Sequence, residues 1–358
     1  MKLDKQTIAY LRLRNQQLLS SQCGTAGEVV ARLGAMQAQD YANALWAIGV
    51  RLPGATVTQV EQALADHSII RTWPMRGTLH FVAAADVRWM LDLLASRSIA
   101  GSAGRRRQLE IDEATLLRSG ALLQETLQGG RQQSRAALFA VLEANGVSTA
   151  GQRGFHILSY HAQTGLLCFG AHEGKQPTFA LLDDWVPHAP TLPHAEALAA
   201  LARRYFTSHG PATVEDLARW AGITLTDARA GLAKVAAELV HGEYAGAAYW
   251  MPPVLADQHD LALPVLLLPG FDEYLIGYRG RSAVLDAAHE DKIVPGGNGV
   301  FQPMLVIDGQ VEGTWKRSVK SKAVRVQIQP FGVLGAAHQR RPQAAEQYGR
   351  FLDRPVLG

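Results

Sequence analysis

A chain of 358 residues with 47% hydrophobic and 19% charged side chains carries enough apolar material for several buried cores, which excludes disorder as its resting state. No stretch comes near the roughly 18 uncharged apolar residues a membrane helix needs. The opening "MKLDKQTIAYLRLRNQQLL" mixes charges with apolar residues, so neither a span nor a signal peptide is expected and a cytoplasmic location is. The two cysteines, Cys23 and Cys168, are far apart and lack CxxC spacing, which argues against a disulfide framework or structural zinc and fits a reducing compartment. The net charge of +3 is small, although 27 of the 35 basic residues are arginine. A genome rich in arginine codons accounts for that as readily as phosphate recognition does. "GRRR" at 104–107 and "WKRSVKSK" at 315–322 are the dense basic clusters, each suited either to a phosphate backbone or to solvent.

In chain order, "LDKQTIAYLRLRNQQLL", "AGEVVARLGAM" and "TQVEQALADHS" have helical patterns, the last with Thr58 and Glu61 in capping-box spacing. "IIRTWPMRGTLHFV" predicts a hairpin turning at Pro-Met-Arg-Gly. The plan recurs loosely: "EATLLRSGALLQETL", "RAALFAVLEAN" with Ser134 as cap, and "QRGFHILSYHAQTG" are helical, and "LLCFGAHEGKQPTFALL" predicts a second hairpin. After the Pro-rich linker 185–196, "HAEALAALARRYFTSHG" is a helix stopped by Gly210 and Pro211. Two helices starting at Thr213/Asp216 and Thr224/Asp227 then make a helix-turn-helix, and "LVHGEYAGAAYWM" reads as a wing. From about residue 263 the texture is β-branched and aliphatic, with Asp308-Gly309 as a type I′ turn, and "AAEQYGRFLDR" is a final amphipathic helix. The predicted fold is α+β: three tandem winged-helix units, 1–95, 96–186 and 187–256, plus a small C-terminal β-rich domain, 257–358.

Common enzyme signatures are missing. "PGGNG" at 295–299 has neither dinucleotide-binding nor P-loop spacing and reads as a hairpin loop. The twelve histidines form no HExxH, and His156 and His161 fall on different helix faces. There is no GxSxG, and neither cysteine has a nucleophile's context. No metal and no cofactor are expected.

Three stretches taken together carry a resemblance: "GAMQAQDYANALW" at 34–46, "RTWPMRGTLHFV" at 71–82, and "LPGFDEYLIGYRGRS" with "NGVFQPMLVIDGQVEGTWKR" in the β-rich region. In this order, over nearly the whole chain, they resemble the bacterial winged-helix DNA glycosylases of the AlkZ and YcaQ type. That family excises alkylated bases and unhooks interstrand crosslinks, and its signature is Gln-x-Gln in one branch and Gln-x-Asp in the other. The "QAQ" here matches the AlkZ-like branch, so the resemblance implies Gln37 and Gln39 as the catalytic pair, handling the hydrolytic water. It implies double-stranded DNA containing alkylated bases as partner, with no membrane and no protein partner. Winged helices also serve non-catalytic DNA-binding proteins and transcription regulators, which is the rival expectation.

Residues two apart diverge by about 200° on a helix but share a side in an extended segment, so the pair is expected where the helix has ended. Asp40 is either an additional base or a charge at a helix end, the latter being favoured. Arg71, Arg76, Thr78 and His80 on the first hairpin, with Arg76, Thr78 and His80 on one side of a strand, are candidate DNA contacts, as are Lys316 and Arg317. Trp46, Trp73 and Tyr41 are candidates for stacking on bases, with the core preferred for the tryptophans. Asp272 and Glu273, whose carboxylates would repel DNA unless paired with Arg279 or Arg281, are read as structural.

Overall fold

The computed structural model describes residues 1–174, 176–253, 263–333 and 339–357. Helices and strands mix throughout, in two units: one of Met1–Glu61, Leu198–Trp220 and Thr224–Gly358, the other of Gln62–Ala197 and Ala221–Ile223. The predicted boundary at 256/257 lies outside the described residues. No helix among the described residues is long and apolar enough to cross a membrane.

The first unit contains a five-stranded sheet in the order Val356–Leu357, Val324–Pro330, Gln310–Val319, Met304–Ile307, Val265–Leu268. Its hairpin turns where expected, with Asp308 and Gly309 at φ 48° and 79°, the left-handed pair a type I′ turn requires. Met304, Leu305 and Val306 are fully buried. Around the sheet, Trp46 and Trp315 donate their indole N–H groups to the carbonyls of Leu267 (2.6 Å) and Leu268 (2.7 Å). Both rings also pack edge-on against Tyr348, from the helix Arg341–Phe351. A second hairpin in this unit pairs Val240–Tyr244 with Ala247–Met251.

In the second unit the strands Thr78–Ala83, Ile69–Met75, Leu167–Glu173, Gln176–Leu181 and Gln133–Ser134 lie in that order, all antiparallel. Helices Glu113–Leu127, Arg135–Ala144 and Arg153–Gln163 bury Leu123, Leu138 and Ile157 in a core shared with Trp73 and Phe179. Ser134 caps its helix by accepting from the Ala137 N–H.

Several local expectations are corrected. The helix Val57–Ala65 is closed by Thr56 and Gln59, whose backbone N–H groups each bond the other's side chain. Thr58 and Glu61, in the same spacing one step on, lie inside the helix. The first hairpin reverses at Arg76–Gly77, at φ 56° and 68°, so Pro74 and Met75 stay in the strand. "PGGNG" is no hairpin loop: Pro295–Gly297 is a 3-10 turn between the short helix Glu290–Ile293 and the strand Met304–Ile307. Helix Tyr41–Gly49 is unanticipated, because "ANALWAIG" is apolar all round and shows no helical stripe.

Candidate active site

The Gln-x-Gln stretch sits in a joint between two helices. Helix Ala26–Leu33 stops at Gly34, whose φ of 81° is a left-handed conformation glycine adopts without strain. Ala35–Gln37 is then extended, and the next helix begins at Tyr41 with Asp40 as its N-cap, one carboxylate oxygen accepting from the Asn43 N–H at 2.9 Å. Asp40 is thus an exposed helix-end carboxylate with a capping job. Met36 and Ala38 are fully buried, Gln37 is half-buried and Gln39 exposed. The alternation over Met36, Gln37 and Ala38 is the period of an extended chain, and Gln39 lies in the bend that follows. Gln37 Oε1 itself is buried with no hydrogen-bond partner among the described residues.

Two consecutive carboxylates from the β-rich region lie close by. Asp272 and Glu273 are each 1% exposed, and they are held by partners other than Arg279 and Arg281. Asp272 meets Arg51 through two parallel bonds of 2.7 and 2.8 Å, and also caps its own short helix through the Tyr274 N–H. Arg281 instead reaches the Leu275 carbonyl and lies over the Phe301 ring. Glu273 accepts from the backbone N–H of Gln37 (3.1 Å) and from the Trp220 indole (2.9 Å), and faces His209 Nε2 at 3.3 Å. Sequence reasoning missed this link across 236 positions. The available signal was "LLLPGFDEYLIGY", two acids inside an apolar run, which demands buried partners.

Of the basic candidates in this unit, Lys316 is exposed, while Arg317 is half-buried and donates to Asn43 Oδ1 at 2.5 Å. Arg317 is therefore tied to the helix that Asp40 caps. The other candidates belong to the second unit. Arg71 is largely buried, its guanidinium over the Phe169 ring. His80 is fully buried and its Nδ1 meets the Thr78 carbonyl at 2.9 Å. Arg76 is a turn residue and not part of the strand, yet its guanidinium still comes to 3.2 Å from His80 Nε2. Burial, and secondarily Arg76, lowers the His80 pKa to about 3. Thr78 is half-buried, its hydroxyl without a partner among the described residues. Trp46 and Trp73 are core residues, and Tyr41 is half-buried.

The first unit thus has one neutral amide at the end of a strand, backed by a buried carboxylate, and a second, exposed one in the bend that follows. Neither amide exchanges protons near neutral pH, so what the pair can do is orient a polar molecule and solvate positive charge. Among the described residues no group of three or more His, Cys, Asp or Glu is placed to hold a metal ion.

The chain as a whole matches a known class. Residues 30–353 match the family model described as DNA glycosylase AlkZ-like, and the chain belongs to that family of DNA glycosylases. It is 28% identical over 339 residues, 88% of each chain, to a Streptomyces sahachiroi protein named interstrand DNA cross-link repair glycosylase. The solved structure of the Streptomyces sahachiroi DNA glycosylase AlkZ has the same fold, with a TM-score of 0.80, full coverage of both chains and 23% identity.

Proposed function

We propose that this enzyme hydrolyses the N-glycosidic bond of N7-alkylated purines in duplex DNA and unhooks interstrand crosslinks of that chemistry, with Gln37 and Gln39 as its catalytic pair. Alkylation at N7 gives the base a positive charge, so it departs with the bonding electrons as a neutral molecule and needs little protonation. Positioning of the water and stabilisation of the oxocarbenium-like sugar become the main tasks, and neutral amides suit both. The observation that carries this reading is the orphaned Gln37 Oε1 beside an extended, anchored backbone. An amide oxygen lacking a donor accepts a hydrogen bond from a water whose lone pair forms the bond to C1′ as the C1′–N9 bond breaks. The bonding electrons leave with the now neutral base, and the excess proton of the added water passes to solvent. The crosslink part leans on the name of the Streptomyces sahachiroi relative.

On the same reading the fold is three tandem winged helices and a β-rich domain, divided as the sequence suggests. In its favour, the helices Val214–Ala221 and Leu225–Val235 are followed by the hairpin Val240–Met251, and the Thr213/Asp216 box closes in both directions at 2.9 and 3.1 Å. Lys316 and Arg317 grip phosphates, and on the hairpin the half-buried Arg76 and Thr78 contribute to the grip on the lesion strand. Arg71 and His80, expected from the sequence as contacts, are buried and cannot reach DNA.

The test is excision from duplex DNA containing N7-methylguanine, read as alkali-labile sites under single-turnover conditions. Gln37→Ala and Gln39→Ala are each expected to slow excision about a hundredfold, the usual worth of one well-placed electrostatic group, with DNA affinity retained. Normal rates in both variants remove the pair from the mechanism. Lys316→Ala is expected to weaken DNA binding and to reduce the salt slope of log K by roughly 1, without changing the excision rate at saturating enzyme.

A further inference from the structure

We infer that Glu273 is the positioning residue of the Gln37–Gln39 pair, acting through the Gln37 backbone; the inference rests on the catalytic reading of those two glutamines. A carboxylate that leaves water must recover its hydration from fixed donors. Asp272 does so with an arginine. Glu273, next to it, does so with an indole N–H, an imidazole and one peptide N–H, that of Gln37. Among the described residues its one ion-pair partner is His209. A side chain serving only the core would find its donors within the core. This one spends an oxygen on the backbone of the motif.

The geometry explains what that bond does. Ala35–Gln37 is a strand, and Met36 and Ala38 fix its depth by their burial. A charge-assisted bond at the intervening peptide N–H, where the strand ends, adds a fixed point at the residue whose side chain carries the amide and so sets the direction in which that side chain leaves the chain. Glu273 is itself held from behind. His209 stacks on Tyr205 with ring centroids 4.8 Å apart and 11° between planes, and its Nδ1 lies 2.8 Å from Ser208 Oγ. Trp220 packs against both rings. The fixed direction therefore passes from Ser208 through His209 and Glu273 to the motif.

Two near-isosteric changes separate reach from charge. Glu273→Gln keeps the length and one acceptor oxygen for the Gln37 N–H. Glu273→Asp keeps the charge but is one methylene too short to hold that N–H. Hydrogen exchange of the peptide covering 34–40 reads the anchor directly and requires no substrate. The expected result is faster exchange in Glu273→Asp and protection close to wild type in Glu273→Gln. Excision of N7-methylguanine from duplex DNA should fall about a hundredfold in Glu273→Asp and no more than about tenfold in Glu273→Gln, since a small misplacement of reacting groups costs on that order. Affinity for the same duplex should stay within about threefold in both. In the Gln37→Ala background, Glu273→Asp should add no further loss, because it acts through the residue already removed.

Unchanged exchange over 34–40 in Glu273→Asp overturns the proposal, as does a loss that multiplies with that of Gln37→Ala. A slow Gln37→Ala beside an unaffected Glu273→Asp sinks the Glu273 inference alone. A wild-type rate in Gln37→Ala sinks the catalytic reading of the pair, and with it the catalytic consequence claimed for Glu273.

Discussion

Two sets of buried polar side chains, one in each unit, are accommodated by different means. In the first, Arg51 and Asp272 are both fully buried and both charged groups are matched: the guanidinium donates to two carboxylate oxygens, to the Ala47 and Gln16 carbonyls and to Gln16 Oε1, all within 3.0 Å. In the second, the buried polar rings are His80 and His161, which burial holds neutral by lowering their pKa values to about 3 and about 4. Pairing two charges demands geometry assembled from distant segments and is intolerant of losing either partner. Keeping a histidine neutral demands little geometry, and its cost appears only when protons become available. The Arg51–Asp272 pair, an example of the first, lies in the unit that carries the Gln-x-Gln joint, with Asp272 next in the chain to the Glu273 that holds the Gln37 backbone.

The comparison is broken most directly at Arg51. Arg51→Met leaves Asp272 buried without its cation, and the expected destabilisation is about 3–5 kcal/mol, the usual consequence of removing one member of a buried pair. Urea unfolding of the variant measures it. Replacing Asp272 by Asn in the same chain should recover part of the loss, because the uncompensated charge is then gone. A loss below about 1 kcal/mol in Arg51→Met would mean that the buried pair is dispensable and the contrast between the two sets empty.

The same contrast accounts for what was legible in the sequence. Features decided within a few residues came through: the Asp308-Gly309 turn, the Ser134, Thr213 and Thr224 caps, and the end of the helix ahead of the glutamines. Where two local solutions had equal spacing, as with Thr56/Gln59 and Thr58/Glu61, pattern alone had no means of choosing. Helix Tyr41–Gly49 was hidden because full burial erases the polar stripe that marks a helix. The candidate site divided the same way. Gln37 and Gln39 are a local motif and were visible, whereas the carboxylate behind them, and Arg51 behind its neighbour, come from more than 200 positions away. Acids inside an apolar run announce that partners exist without saying which.

A smaller effect sharpens the other side of the comparison. His161 is buried beside Ser119, whose hydroxyl lies 2.9 Å from Nε2, and burial lowers its pKa from 6.5 to about 4, opposed only weakly by a hydrogen bond with the Leu116 backbone. Between those two values the unfolded chain takes up a proton at this position and the folded chain does not. The unfolded state then binds more protons, so this group's contribution makes stability fall as the pH drops through the window and level off below about 4, with a slope of at most about 1.4 kcal/mol per pH unit. His161→Asn removes the titration while keeping a polar group toward Ser119. At pH 7.5 the variant should be less stable by about 1–2 kcal/mol, from a poorer hydrogen bond and lost packing. At pH 5 that deficit should close to near zero, because the wild type alone bears the proton-linked loss of about 2 kcal/mol. His80 has its pKa lowered in the same direction but is present in both proteins, so it cancels in the difference. Urea unfolding of the two proteins at both pH values decides the point: an equal deficit at pH 7.5 and pH 5 would show that His161 is not a neutral buried ring.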